Sequence, residues 1–169
     1  MKKIIKNILL ALVVLLVFVQ FYPRAKKNND LTTVNDLATV HAVPSDVMDI
    51  LKTSCYDCHS NNTVYPWYSN IQPGSWWLND HIVEGKKELN FSEFATYRLA
   101  RQYKKLDEII NQVKEDEMPL QSYTLIHRNA KLSKEQKLLV SSWSSALRDS
   151  MKTVYPADSL KRKPKPVVL

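Results

Sequence analysis

The chain has 169 residues, 24 of them Lys or Arg against 17 Asp or Glu, for a net charge of +7, and it contains two cysteines and only two glycines. So few glycines argue against a hairpin-rich β protein and against glycine loops that cradle phosphates. Residues 1–27 carry +6 and residues 148–169 carry +4, which leaves the 120 residues between them at −3; a mildly acidic body removes the main argument for nucleic-acid binding, and the basic ends suit anionic lipid or no partner at all.

Lys2, Lys3 and Lys6 precede an uncharged, mostly apolar stretch from Asn7 to Pro23, and Arg24, Lys26 and Lys27 follow it. That length is near the lower limit for a helix spanning a bilayer. Phe21 and Tyr22 stand where the interface would fall, and no small-x-small cleavage pattern precedes Arg24. The sequence therefore predicts one N-terminal transmembrane helix within residues 1–27, kept as an uncleaved signal anchor rather than removed as a signal peptide. Basic residues flank it almost evenly, so charge alone does not orient it.

Residues 28–150 read as one compact domain, and residues 151–169 as a disordered basic tail that includes Lys161-Arg162-Lys163-Pro164-Lys165-Pro166. The first helix of the domain starts at Pro44-Ser45-Asp46, with Val47, Ile50, Leu51 and Ser54 on one face. It leads into Cys55-Tyr56-Asp57-Cys58-His59, which holds both cysteines. Two thiols at this spacing can add across the two vinyl groups of one porphyrin, and the neighbouring histidine then falls beneath the iron; this is an attachment sequence for one covalent haem c. Three other readings compete for the same residues. A thioredoxin-like redox pair wants a preceding strand, and none is visible. A structural zinc wants four ligands, and only the scattered His41, His81 and His127 remain. A disulfide would close a very small loop and leave His59 without a role. Haem attachment by such a motif is expected outside the cytoplasm, which orients the anchor: a single pass through the cytoplasmic (inner) membrane, with the haem domain on the periplasmic side.

A long aromatic-rich loop, Tyr65 to Trp77, follows the motif. Tyr68, Trp76 and Trp77 either wall the haem edge, donating hydrogen bonds to propionates, or fill a small core; both readings stand. Arg98, Arg101 and Arg128 are propionate partners or a solvated face, and Pro66 or Pro73 offers a carbonyl for the Nδ1–H of His59. The second helical region begins near Asn90, capped reciprocally with Glu93, and carries Phe94, Tyr97, Leu106, Ile109, Ile110 and Val113, with a bend at Lys104-Lys105. It ends at Glu115-Asp116-Glu117-Met118-Pro119, where Pro119 stops the helix. A methionine fixed at such a break can present its thioether to iron instead of filling a core, so Met118 is the favoured sixth ligand, with His81 and His127 as rivals. The third helix starts at Ser133, with Gln136 completing the cap, and is expected to bury Leu139, Trp143, Ala146 and Leu147 against the first.

From about Val47 to Trp143 the chain resembles the haem-binding domain family of small, often membrane-anchored c-type cytochromes. The resemblance rests on Cys55-Tyr56-Asp57-Cys58-His59-Ser60-Asn61, Tyr65-Pro66-Trp67-Tyr68, His81-Ile82-Val83-Glu84-Gly85 with Leu89-Asn90-Phe91-Ser92, Glu117-Met118-Pro119-Leu120 with Tyr123, and Ala130-Lys131-Leu132-Ser133 leading to Trp143. It implies covalent haem at Cys55 and Cys58, with His59 and Met118 on the iron. One departure is Gly85-Lys86 where relatives often carry Gly-Arg; a lysine there would meet a propionate as a point charge rather than a fork.

The expectation is an all-α, cytochrome c-like small domain behind a membrane helix, carrying one haem c and passing single electrons to a redox protein: a carrier rather than a catalyst. A haem-based sensor or ligand-binding module, with an empty or labile sixth position, is the second class. A peroxidase-like haem protein, with His81 or His127 as acid/base, is the third.

Overall fold

This computed structural model describes residues 1–24, 27 and 33–161. Among them the chain forms eight α-helices, α1 (Lys2–Val19), α2 (Leu37–Val40), α3 (Ser45–Ser54), α4 (Tyr56–His59), α5 (Gly74–Glu88), α6 (Leu99–Lys114), α7 (Gln121–Ile126) and α8 (Lys134–Val154), with four 3-10 turns and no strand. The all-helical expectation holds for the domain.

The expected transmembrane helix does not. No helix among the described residues is long and apolar enough to cross a membrane. α1 ends at Val19 and its first turns contain Lys2, Lys3 and Lys6, so its uncharged part is only the thirteen residues Asn7–Val19. That is about 20 Å of helix against a hydrocarbon core of about 30 Å. The residues expected to lengthen it turn back onto the domain instead. The Gln20 side chain donates to the Gln72 carbonyl and accepts from the Gln72 N–H, both at 2.9 Å, and Tyr22 packs edge-on against Trp76 with ring centroids 5.3 Å apart.

The core collects α3, α6 and α8 around the segment Leu89–Phe94. Val47, Ile50, Leu51 and Ser54 are buried on α3, as their spacing predicts. Asn90 caps the 3-10 turn Phe91–Thr96 by accepting from the Ser92 N–H rather than through an exchange with Glu93. The break that follows falls at Tyr97-Arg98, so α6 runs straight through Lys104-Lys105 and buries Leu106, Ile109, Ile110 and Val113. α8 opens on the expected capping box, with Ser133 and Gln136 exchanging hydrogen bonds. It lies mainly against α6 and reaches α3. Its buried face is Val140, Ser141, Trp143, Ser144 and Met151, while Leu139 and Ala146 are exposed; the Trp143 indole donates to Ala42 O.

Packing continues past the expected domain end at 150. Met151 and Leu160 belong to the core cluster, and the 3-10 turn Ala157–Leu160 lies against α6. The basic run beyond Lys161 lies outside the described residues. The aromatic stretch Tyr65–Trp77 is also more ordered than a loop: Trp67–Asn70 form a 3-10 turn, and Trp76 and Trp77 sit in the first turn of α5.

Leu106 is completely buried in the α6 stripe. Leu106→Ala should lower unfolding free energy by about 2–5 kcal/mol in urea titrations of the haem-loaded protein, with an unchanged slope.

Candidate functional site

α3 delivers the motif. Its last turn passes directly into α4, with Cys55 N–H bonded to Leu51 O and His59 N–H to Cys55 O, both at 2.9 Å. Residues three and four apart on such a turn share a face, so Cys55, Cys58 and His59 lie on one side. They open onto two adjoining hollows. One, of about 190 Å³, is lined by Cys55, Cys58, His59, His81, Met118 and Tyr123 among others. The other, of about 320 Å³, is lined by Leu51, Cys55, His59, Lys105, Ile109 and Met118 among others. Cys55, His59, Glu88 and Met118 border both.

His59 is held by backbone. Its Nδ1 lies 2.9 Å from Gly85 O and 3.0 Å from Leu89 O. Carbonyls only accept, so Nδ1 carries the proton and Nε2 keeps its lone pair. Burial lowers the imidazole pKa, against the raising pull of these two carbonyls; a neutral ring is the form that binds metal. The carbonyls come from the end of α5 and the residue after it, not from Pro66 or Pro73. What brings α5 so near is Gly85: a Cβ there would sit 2.7 Å from Cys58 O and 3.2 Å from Cys58 C and Cβ. Nothing in the sequence signals this approach: no helix is expected over 74–88, and only inside α5 does a glycine, which costs about 1 kcal/mol relative to alanine, stand out.

The thiols do not suit dithiol redox chemistry. Burial pushes Cys55 up to about 12 and Cys58 up to about 11, whereas reactive redox cysteines have depressed values. Zinc finds no ligand set either: no group of three or more His, Cys, Asp or Glu that could hold a metal ion occurs among the described residues.

Met118 reaches the rim of both hollows because the chain turns sharply after α6. The N–H groups of Glu117 and Met118 both bond to Gln112 O, at 3.0 and 3.1 Å, and Asp116 takes a positive φ of 60°. His81, on α5, lines the smaller hollow, its Nδ1 2.8 Å from Trp77 O. His127 is turned elsewhere, bonded through Nε2 to the Tyr68 hydroxyl at 3.0 Å and stacked on the Tyr123 ring at 4.4 Å. Tyr68, Trp76 and Trp77 are absent from the lining of both hollows. Trp76 faces Tyr22, and Trp77 packs on His81 at 4.3 Å. Arg98, Arg101 and Arg128 are absent as well; Arg101 caps the end of α5 by donating to Lys87 O and Glu88 O.

Two residues at the site were given no role there by the sequence. Lys105, 8% exposed, borders the larger hollow with its ammonium 3.0 Å from Glu88 and 2.6 Å from Glu108. Burial works against its charge, but the two carboxylates outweigh it and the pKa is raised. Tyr123, 9% exposed, lines the smaller hollow and donates to Asp57 Oδ2 at 2.7 Å. Neither position stands out in composition or periodicity.

Two thiols and an accepting imidazole nitrogen on one helical turn, bordering the same adjoining hollows as a thioether, form a donor set that fits an iron porphyrin. The fold and site thus define a small helical haem protein. A family model described as "Haem-binding domain" matches residues 14–146, and the chain belongs to that haem-binding domain family. No curated protein and no solved structure matches it.

Gly85→Ala forces α4 and α5 apart by several tenths of an ångström. It should destabilise the protein by about 1–3 kcal/mol in denaturant titrations and lower the yield of haem-loaded chain, whereas Gly74→Ala, with its nearest contact at 3.3 Å, should be milder.

Proposed function

We propose that this chain is a c-type cytochrome: one haem held by thioether bonds to Cys55 and Cys58, His59 and Met118 as axial ligands, and single electrons passed to a redox protein outside the cytoplasm. The observation that carries the reading is the Nδ1 anchoring of His59 by Gly85 O and Leu89 O beside the paired thiols. Bound haem supplies reversible one-electron ferric/ferrous chemistry. The polypeptide does the rest. Cys55 and Cys58 keep the cofactor from dissociating, and the carbonyl pair on Nδ1 fixes the tautomer and strengthens Nε2 as a donor. A thioether ligand favours the ferrous state and raises the potential relative to two imidazoles. Filling both axial positions leaves no open coordination site for a substrate, which favours carrying over catalysis. A peroxidase-like role finds little support, since no arginine lines either hollow among the described residues.

A second reading, bis-histidine ligation with His81 opposite His59, is favoured by His81 lining the same hollow as Met118. Optical and near-infrared spectra of the ferric protein separate the two. The Met-to-ferric band should be present in wild type and His81→Ala, and absent in Met118→Ala, whose midpoint potential should fall. Loss of the low-spin spectrum in His81→Ala alone would establish the second reading, and a high-spin wild type would overturn both.

A further inference from the structure

Met118 sits between two anchors. Upstream, its backbone is tied to the end of α6 through Gln112 O. Downstream, the chain runs through Pro119 and Leu120 into α7, and the first long-range side-chain hydrogen bond after Met118 among the described residues is that of Tyr123. Its hydroxyl crosses to Asp57 Oδ2 at 2.7 Å, a short bond to a charged acceptor. Asp57 lies between the two cysteines, and its other oxygen accepts from the Val64 N–H at 2.9 Å. The Thr63 hydroxyl meanwhile donates to Asp57 O at 2.8 Å. The acceptor is therefore held rigidly by the attachment segment itself. Burial raises the Tyr123 pKa, with the Asp57 carboxylate adding to it, so the phenol keeps its proton and remains a donor. His127 stacks on the Tyr123 ring and bonds to Tyr68, closing the far end of α7 onto the 3-10 turn Trp67–Asn70.

We infer that the Tyr123–Asp57 hydrogen bond is a latch that positions the Met118 arm over the attachment segment, so that the arm opens and its ligand leaves only when this bond breaks. This rests on Met118 being the sixth ligand. Tyr123 and Asp57 are positioning residues: neither donates to iron, and each sets how readily an outside ligand replaces the thioether. An exogenous ligand must displace Met118, so its apparent affinity is reduced by the cost of opening the arm.

The test is a spectral titration of the ferric, haem-loaded full chain with imidazole. Breaking a hydrogen bond to a charged group should raise imidazole affinity about tenfold or more in Tyr123→Phe, with a weakened Met-to-ferric band. Asp57→Ala should do the same, and the double variant should add little to either. Asp57→Asn keeps an acceptor oxygen and should fall between; it serves if a deletion variant fails to fold. Val140→Ala, in the core away from the hollows, should lower stability and leave imidazole affinity within about twofold of wild type. An unchanged affinity in Tyr123→Phe, or an equal rise in Val140→Ala, overturns the latch. Met118→Ala run alongside separates the two claims. If it raises affinity and removes the band while Tyr123→Phe does neither, only the latch fails; if Met118→Ala itself matches wild type, the ligand assignment fails and the latch with it.

Discussion

The contact on which this site depends is the close approach of α5 to the turn of α4 at Gly85 and Cys58. It places two carbonyls at Nδ1 of His59, and they determine which ring nitrogen carries the proton and which way the other points. Backbone is a stiff support for that purpose. A side-chain acceptor would have its own rotamers to restrict, whereas the end of a helix docked by a glycine has none.

The rest of the domain holds that contact in register. Phe91 stacks on Tyr56 at 5.1 Å and meets the His59 ring edge-on at 6.4 Å, so the segment after α5 is packed against the same turn that its carbonyl binds. Asn61 ties the far side of the motif down, bonding through its backbone to Ser92 and through its side chain to Glu93 and Asn90. Behind them, Phe94, Leu51 and Leu106 are completely buried. Burial consequently raises both thiols.

Much of this was legible in the chain because its signals are local. The Val47, Ile50, Leu51, Ser54 spacing gives α3, and the Ser133–Gln136 pair gives the start of α8. Other features depend on what meets what. Whether the apolar N-terminal stretch forms one long helix depended on Gln20 finding the Gln72 backbone, which hydropathy does not register. The true face of α8 was set by its packing on α6, and the tail expected beyond 150 was drawn into the core by Met151 and Leu160. The Tyr123–Asp57 bond joins residues 66 apart, and nothing local to either announces it.

The account stands on haem joined covalently to Cys55 and Cys58. The direct measurement is mass spectrometry of the peptide containing Cys55–His59, taken after acid–solvent extraction of protein made in a host that matures c-type cytochromes. That peptide should carry the mass of one haem, and its pyridine haemochrome should show both vinyl groups saturated. An unmodified peptide, with all the haem in the extract, would contradict the account.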